Sequence, residues 1–232
     1  MAAGQRGFIY ERHIFNTLLS EKLTNMTHSP AQTGSKKADT AFLVDNKYYN
    51  LEIKLDLSAD FGQGTLRYNF DDRKWFTYAE NYKMKELLDY YEVAEFANKE
   101  WKKVPNKVNK NDIGRTVTNN LTQSEIREDV VNFPDKYLNL TGRNPIAEYY
   151  NSKDIYYIQI GKFYGFYYLG EDKANLGVPE FNPRRQKIRI RRKGSGGGNY
   201  RFTTALIVDT NIPRSNYDID KNLNFIINAS RW

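Results

Sequence analysis

The chain has 232 residues, 40% hydrophobic and 27% charged, with a net charge of +7, no cysteine and only two histidines, His13 and His28. This suits a soluble globular protein long enough to bury a core without covalent staples. It excludes disulfides, thiolate zinc sites, cysteine nucleophiles and a histidine-built zinc centre, so any metal should be hard and oxygen-bound, Mg²⁺ with Mn²⁺ able to substitute.

Taken in chain order, residues 5–24 read as a helix, because Phe8, Glu11, Phe15, Leu18 and Lys22 recur at steps of three and four. Glu11 therefore interrupts an apolar stripe. Residues 25–37 are a polar loop. Asp39–Val44 and Lys47–Leu57 read as strands joined by a tight Asp45-Asn46 turn. Residues 58–79 form an irregular aromatic and basic stretch, and residues 80–99 have helical spacing through Met84, Leu87, Leu88, Tyr91 and Ala94. Residues 100–121 are polar and lysine-rich. Thr122-Gln-Ser-Glu125 has the form of a capping box opening a helix that Pro134 stops. Strands follow at Ile155–Ile160 and Phe163–Leu169 around Gly161-Lys162, then at Gln186–Arg192 and Asn199–Val208 around a glycine-rich loop, with a last strand over Leu223–Ile227. The order predicts one mixed α/β domain spanning 1–232, with a central sheet flanked by helices. No stretch approaches 18 apolar residues and no secretory core opens the chain, so no membrane partner and a cytoplasmic location are expected.

The strand beginning at Lys47 carries the chemistry. Its alternation puts Tyr49, Leu51, Ile53 and Leu55 on one face and Asn50, Glu52, Lys54 and Asp56 on the other. If Asp45-Asn46 is a two-residue turn, Val44 pairs with Lys47 and Asp39 falls opposite Glu52 on the same face. Two facing carboxylates repel unless a cation lies between them, and a divalent ion is the natural occupant. A slip of one residue would send Asp39 to the other face. The opposing reading is an exposed amphipathic hairpin with ordinary solvated charges.

Asp39, followed after twelve residues by Glu52-Ile53-Lys54, resembles the signature of the PD-(D/E)xK nucleases, and within them the type II restriction endonucleases. The helix bearing Glu11 resembles the family's first motif, although a surface pair with Arg12 or Lys22 would also account for that acid. The likeness covers roughly residues 5–100, and Ala38 stands where the name-giving proline would be. It implies a restriction-endonuclease-like core with an added β-hairpin. It also implies catalytic roles for Asp39, Glu52, Lys54 and Glu11, and Mg²⁺ held by Asp39, Glu52 and the Ile53 carbonyl. Products would carry 5′-phosphate and 3′-hydroxyl ends.

Charge placement points to a polyanion. Eight cations and no acid lie between residues 182 and 201: Arg184, Arg185, Lys187, Arg189, Arg191, Arg192, Lys193 and Arg201. They leave the remaining residues at −1, and arginine outnumbers lysine six to two. A basic two-stranded ribbon fits the major groove of double-stranded DNA, whereas a basic sheet edge is the plainer alternative. Gln63, Arg67, Tyr68 and Arg73 are further candidates for nucleic-acid contact, or else local packing. Gln63 and Tyr68 also resemble the Gln…Tyr pair of the exonuclease-like branch, with the spacing off by one residue. The expected function is a Mg²⁺-dependent DNA endonuclease, working as a homodimer by analogy because cutting two strands calls for two sites. The alternatives are a phage or repair nuclease (resolvase, homing-type or exonuclease) and a nucleic-acid-binding protein without catalysis.

Overall fold

In the computed structural model the described residues are 3–30, 38–106, 121–196, 199–209 and 212–229. Parts of the expected loops at 25–37 and 100–121, and the tip of the glycine-rich loop, lie outside them. The protein is mixed α/β, with two sheets in place of the single central sheet expected. It divides into two compact units: residues 1–59, 144–184 and 210–232 form one, and residues 60–143 and 185–209 the other. No helix among the described residues is long and apolar enough to cross a membrane.

The first unit holds α1 (Ala3–Ser20), β1 (Thr40–Val44), β2 (Lys47–Lys54), α5 (Pro145–Asn151), β6 (Ile155–Ile160), β7 (Gly165–Tyr168) and α6 (Asn224–Ala229). Its sheet has the order β1-β2-β6-β7. Asp45 and Asn46 both take positive φ (48° and 60°), as a type I′ hairpin turn requires. The turn fixes the expected register, with Val44 opposite Lys47 and Thr40 opposite Leu51. β2 then pairs in parallel with β6. A parallel partner needs a crossover, and α5 ends it, capped by the Asn144 side chain and opened by Pro145. On one face, Phe42, Val44, Leu51, Ile53, Tyr157 and Phe166 share a core with Ile14 and Leu18 of α1 and Ile226 of α6. Leu223–Ile227, expected as a strand, enters α6. A five-residue stretch with four apolar residues does not separate strand from buried helix by periodicity alone.

The second unit holds β3 (Gly62–Asn69), β4 (Lys74–Tyr78), α2 (Tyr82–Tyr90), α3 (Val93–Glu100), α4 (Gln123–Asn132), β5 (Lys136–Leu140), β8 (Gln186–Gly196) and β9 (Asn199–Val208). The sheet order is β4-β3-β9-β8-β5. The stretch 58–79, expected to be irregular, is thus a hairpin turned at Arg73 (φ 52°). The helical stretch 80–99 is two helices, broken where Glu92 takes φ 51°. The capping box at Thr122 forms with both hydrogen bonds. Trp75, Trp101, Phe133 and Phe202 pack together, edge to face except for the tilted Trp101–Phe202 pair, with ring centroids 4.7–5.8 Å apart, on the sheet side that also buries Leu66, Ile188, Ile190 and Leu206. The basic ribbon is therefore no free hairpin. Its paired length lies inside a five-stranded sheet, and only its distal end is two-stranded.

Candidate active site

Hairpin register brings the acids together. The β1–β2 ladder closes at Thr40 opposite Leu51, so the next residue back, Asp39, stands level with Glu52. Asp39 Oδ2 accepts a hydrogen bond from the Ile53 backbone N–H at 2.8 Å. Glu52 and Lys54, two apart on β2, project to the same side, and Lys54 Nζ is 2.5 Å from Glu52 Oε1. This face is not solvated as a plain amphipathic strand would be, because Glu52 is only 5% exposed.

The cover comes from α5. Tyr150 is buried, and its hydroxyl donates to Glu52 Oε1 at 3.0 Å. Nothing in the sequence around Tyr150 marks it, and 98 residues separate the partners. Its phenol is held well above its ordinary pKa, first by burial and then by the Glu52 charge, so it remains a donor. Both bonds to Glu52 use Oε1. Among the described residues, Glu52 Oε2 and Asp39 Oδ1 accept no hydrogen bond.

The electrostatics show what two acids and one lysine do in such a place. Burial, then the Glu52 charge, then Glu11, push the Asp39 carboxyl up to about 8, against a smaller opposing pull from Lys54 and the Ile53 N–H. Burial pulls the Lys54 ammonium down, yet Glu52 and Asp39 outweigh it and hold the lysine charged. Glu11 is half-buried, and its carboxyl is raised by burial and by Glu52 against the pull of Lys54. The helix acid therefore belongs to the same electrostatic cluster and makes no ion pair with Arg12 or Lys22.

These donors fit a hard divalent cation in their chemistry: Asp39 and Glu52 each keep an oxygen free of hydrogen bonds, and a cation could take the place of the proton that their proximity holds on Asp39. Among the described residues, no three His, Asp or Glu side chains are set together as a ready metal cage. A cation would share Glu52 with Lys54 and complete its shell from backbone and water.

The second unit gathers the predicted basic residues differently. Cross-strand rows place Gln63, Ala205 and Arg189 side by side, then Thr65, Thr203 and Arg191, then Arg201 and Lys193, all on the sheet face opposite the aromatic core. Asp60 sits among them. Its Oδ1 takes Arg189 at 2.6 Å and its Oδ2 takes Arg191 at 2.9 Å, while Gln63 Nε2 also donates to Oδ2 at 2.7 Å. One carboxylate thus serves two guanidinium groups. Lys193 is lowered by burial and then by Arg191 and its other cationic neighbours. Lys187 pairs with Asp209, and Arg192 lies over Tyr200. Arg184, Arg185, Arg73 and Arg201 are exposed. Arg67 lies over the Tyr78 ring, 3.5 Å from its centroid. Tyr68 faces the other way, packed on Phe70 and Trp75. Gln63 and Tyr68 therefore point to opposite faces of β3 and do not form a pair.

No family model matches the chain, and neither a comparison with characterised proteins nor one with solved structures finds a match.

The raised Asp39 carboxyl has a consequence for stability. Its folded value of about 8 lies above the ordinary unfolded value near 4, so the native state binds the proton more tightly. Stability contributed by that proton is present below about pH 4 and is lost as pH rises through about 8. In EDTA, Asp39→Asn, which keeps an oxygen for the Ile53 N–H, should melt on the order of ten degrees above wild type at pH 8.5, since a carboxyl raised from about 4 to about 8 is worth roughly 5 kcal/mol and each kcal/mol moves the midpoint about 2–4 °C. The gap should close toward pH 5. Thermal melts across that range check this, and a gap that does not change with pH contradicts it.

Proposed function

We propose that this protein is a divalent-metal-dependent endodeoxyribonuclease of the PD-(D/E)xK kind, hydrolysing phosphodiester bonds of double-stranded DNA. The observation that carries the reading is the cluster of Asp39, Glu52 and Lys54, with one unbonded oxygen on each acid. Support also comes from Glu11 in the same electrostatic neighbourhood and from a mixed sheet with helices packed on it. Asp39 and Glu52 would hold Mg²⁺ or Mn²⁺, with the Ile53 carbonyl as the resemblance implies. Bound there, the ion supplies polarisation of a phosphate oxygen and a water of lowered pKa.

The chain's own groups account for the remainder. Lys54 stays protonated because two carboxylates face it. Its ammonium can orient the attacking water and stabilise the negative charge that grows on the phosphate. Tyr150 and Lys54 both hold Oε1 of Glu52 and leave its other oxygen without a hydrogen bond. In the reaction, the water oxygen bonds to phosphorus and the bond from phosphorus to the 3′ oxygen breaks. The water proton passes to solvent and the leaving 3′ oxygen is protonated. The basic face of the second unit supplies backbone contacts through Arg189, Arg191, Lys193 and Arg201, strengthened by the loss of counterions from DNA. A restriction role and a homodimer rest on analogy with the type II enzymes.

A second reading, a nucleic-acid-binding protein without cleavage, is favoured by the Lys54–Glu52 ion pair already filling part of the site. Plasmid incubated with and without Mg²⁺ separates the two. Discrete fragments indicate site-specific cutting, smearing a less specific nuclease, and gel retardation alone a binder.

Asp39→Ala and Lys54→Ala should each lower the cleavage rate at least about a hundredfold while DNA binding persists, and a wild-type rate in either variant ends the assignment. Arg189→Ala combined with Arg191→Ala should make the fall of affinity with salt shallower. The change should be less than the two units or so that two free cations would give, because Asp60 already neutralises one of them. A slope identical to wild type, measured by fluorescence anisotropy, would remove this face from binding.

A further inference from the structure

Lys153 stands next to the acid cluster and has no role so far. It follows α5 directly, and its N–H donates to the Tyr150 carbonyl at 2.9 Å, which ties it to the last turn of the helix. It is half-buried. Its Nζ lies 5.3 Å from the Tyr149 ring centroid and 5.5 Å from that of Tyr150, so two phenol rings form a shelf under the ammonium. Tyr150 is the residue whose hydroxyl holds Glu52. One aromatic side chain thus links the lysine to the acid at the centre of the site.

What Lys153 does not do is equally informative. Among the described residues it makes no ion pair, although Glu52 and Asp39 are close enough for their charges to act on it. Glu52 is already taken by Lys54. A lysine with a long flexible stem ordinarily carries its head to water. Here the head is held against aromatic faces instead, where a cation is attracted to the ring quadrupole but is not neutralised. Burial, and then the like charge of Lys54, disfavour the ammonium against the pull of Glu52 and Asp39. Of the two lysines beside the acids, one is bonded to a carboxylate and the other is not, so the Lys153 ammonium keeps its hydrogen-bond donors available to an anion.

We infer that Lys153 is a second phosphate contact of this site: its ammonium, seated on Tyr149 and Tyr150, receives a phosphate oxygen of the nucleic-acid strand bound at Asp39, Glu52 and Lys54. The inference rests on the nuclease reading and adds to it a substrate-contacting residue on the α5 side. A lysine serving only as the positive charge at a helix C-terminus would also sit here, and the tests below separate the two roles.

The non-cleaving ion Ca²⁺ allows binding to be read without turnover. Duplex DNA should bind wild type in Ca²⁺, and Lys153→Gln should show a salt dependence of log affinity shallower by about one unit, the share of one phosphate contact. Lys153→Arg should restore the wild-type slope. Ca²⁺ itself, titrated without DNA, should bind Lys153→Gln roughly two- to tenfold more tightly than wild type, since a nearby cation has gone. In wild type, bound duplex should protect Lys153 from reductive methylation, read by peptide mass mapping, and this measurement does not depend on any variant folding. An unchanged slope, weaker Ca²⁺ binding by Lys153→Gln, or full methylation under saturating DNA would overturn the inference. Wild type that neither cuts DNA with Mg²⁺ nor binds it with Ca²⁺ would instead bring down the nuclease reading itself.

Discussion

Two carboxylates placed level on neighbouring strands, Glu52 buried and Asp39 half-buried, are the constraint around which the first unit is arranged. Asp39 and Glu52 cannot both carry full charge there at no cost, and Asp39 responds by holding its proton up to about pH 8. Lys54 relieves only part of the repulsion because it bonds to one oxygen of one acid. Glu52 is tied in by Lys54 and the Tyr150 hydroxyl, so the cost of the like-charge pair falls on Asp39, and a neutral residue there would stabilise the fold above neutral pH. Two carboxylates and a lysine set together with perturbed protonation are the local strain found often at functional sites.

The supporting structure fixes this cluster from both directions. On one face of β2, Leu51 and Ile53 pack into the core with Ile14 and Leu18, so the strand cannot slip without exposing them. On the other, Tyr150 caps Glu52 from a helix that the parallel β2–β6 pairing requires. Fixed register and an aromatic cover together set the positions of the acids and make them hydrophobically enclosed. Charge in the second unit follows a different plan. There the sheet separates an aromatic core from a face of arginines and lysines, and a single carboxylate, Asp60, holds two guanidinium groups in place. Arg189, Arg191, Lys193 and Arg201 are gathered there around the single carboxylate of Asp60, which leaves their cluster positive and suited to a polyanion.

Some of this was legible in the sequence because it is local. The Asp45-Asn46 turn fixes the hairpin register, and with it the juxtaposition of Asp39 and Glu52. The capping box at Thr122 is likewise written in four consecutive residues. Contacts that join distant segments were not legible. Tyr150 meets Glu52 across 98 residues, and Asp60 meets Arg189 across 129. Strand β3 was missed because its glycines at 62 and 64 weaken the strand signal, while Gln63, Arg67 and Tyr68 invite a reading as a binding loop. The arginine alternation over 188–191 correctly put Arg189 and Arg191 on one face. It could not show that strands on both sides turn the ribbon into a sheet, which changes how that face can meet DNA.

The central claim, that Asp39 and Glu52 form a site completed by a divalent cation, is tested most directly by counting protons released on metal binding. Calorimetric titration of the protein with Ca²⁺ at pH 7, repeated in buffers of different ionisation enthalpy, gives that number. With the Asp39 carboxyl raised to about 8, binding at pH 7 should release close to one proton, and the apparent affinity should rise with pH up to about pH 8. The release should vanish in Asp39→Asn. Ca²⁺ binding that releases no proton in wild type, or no binding at all at millimolar concentration, would contradict the account.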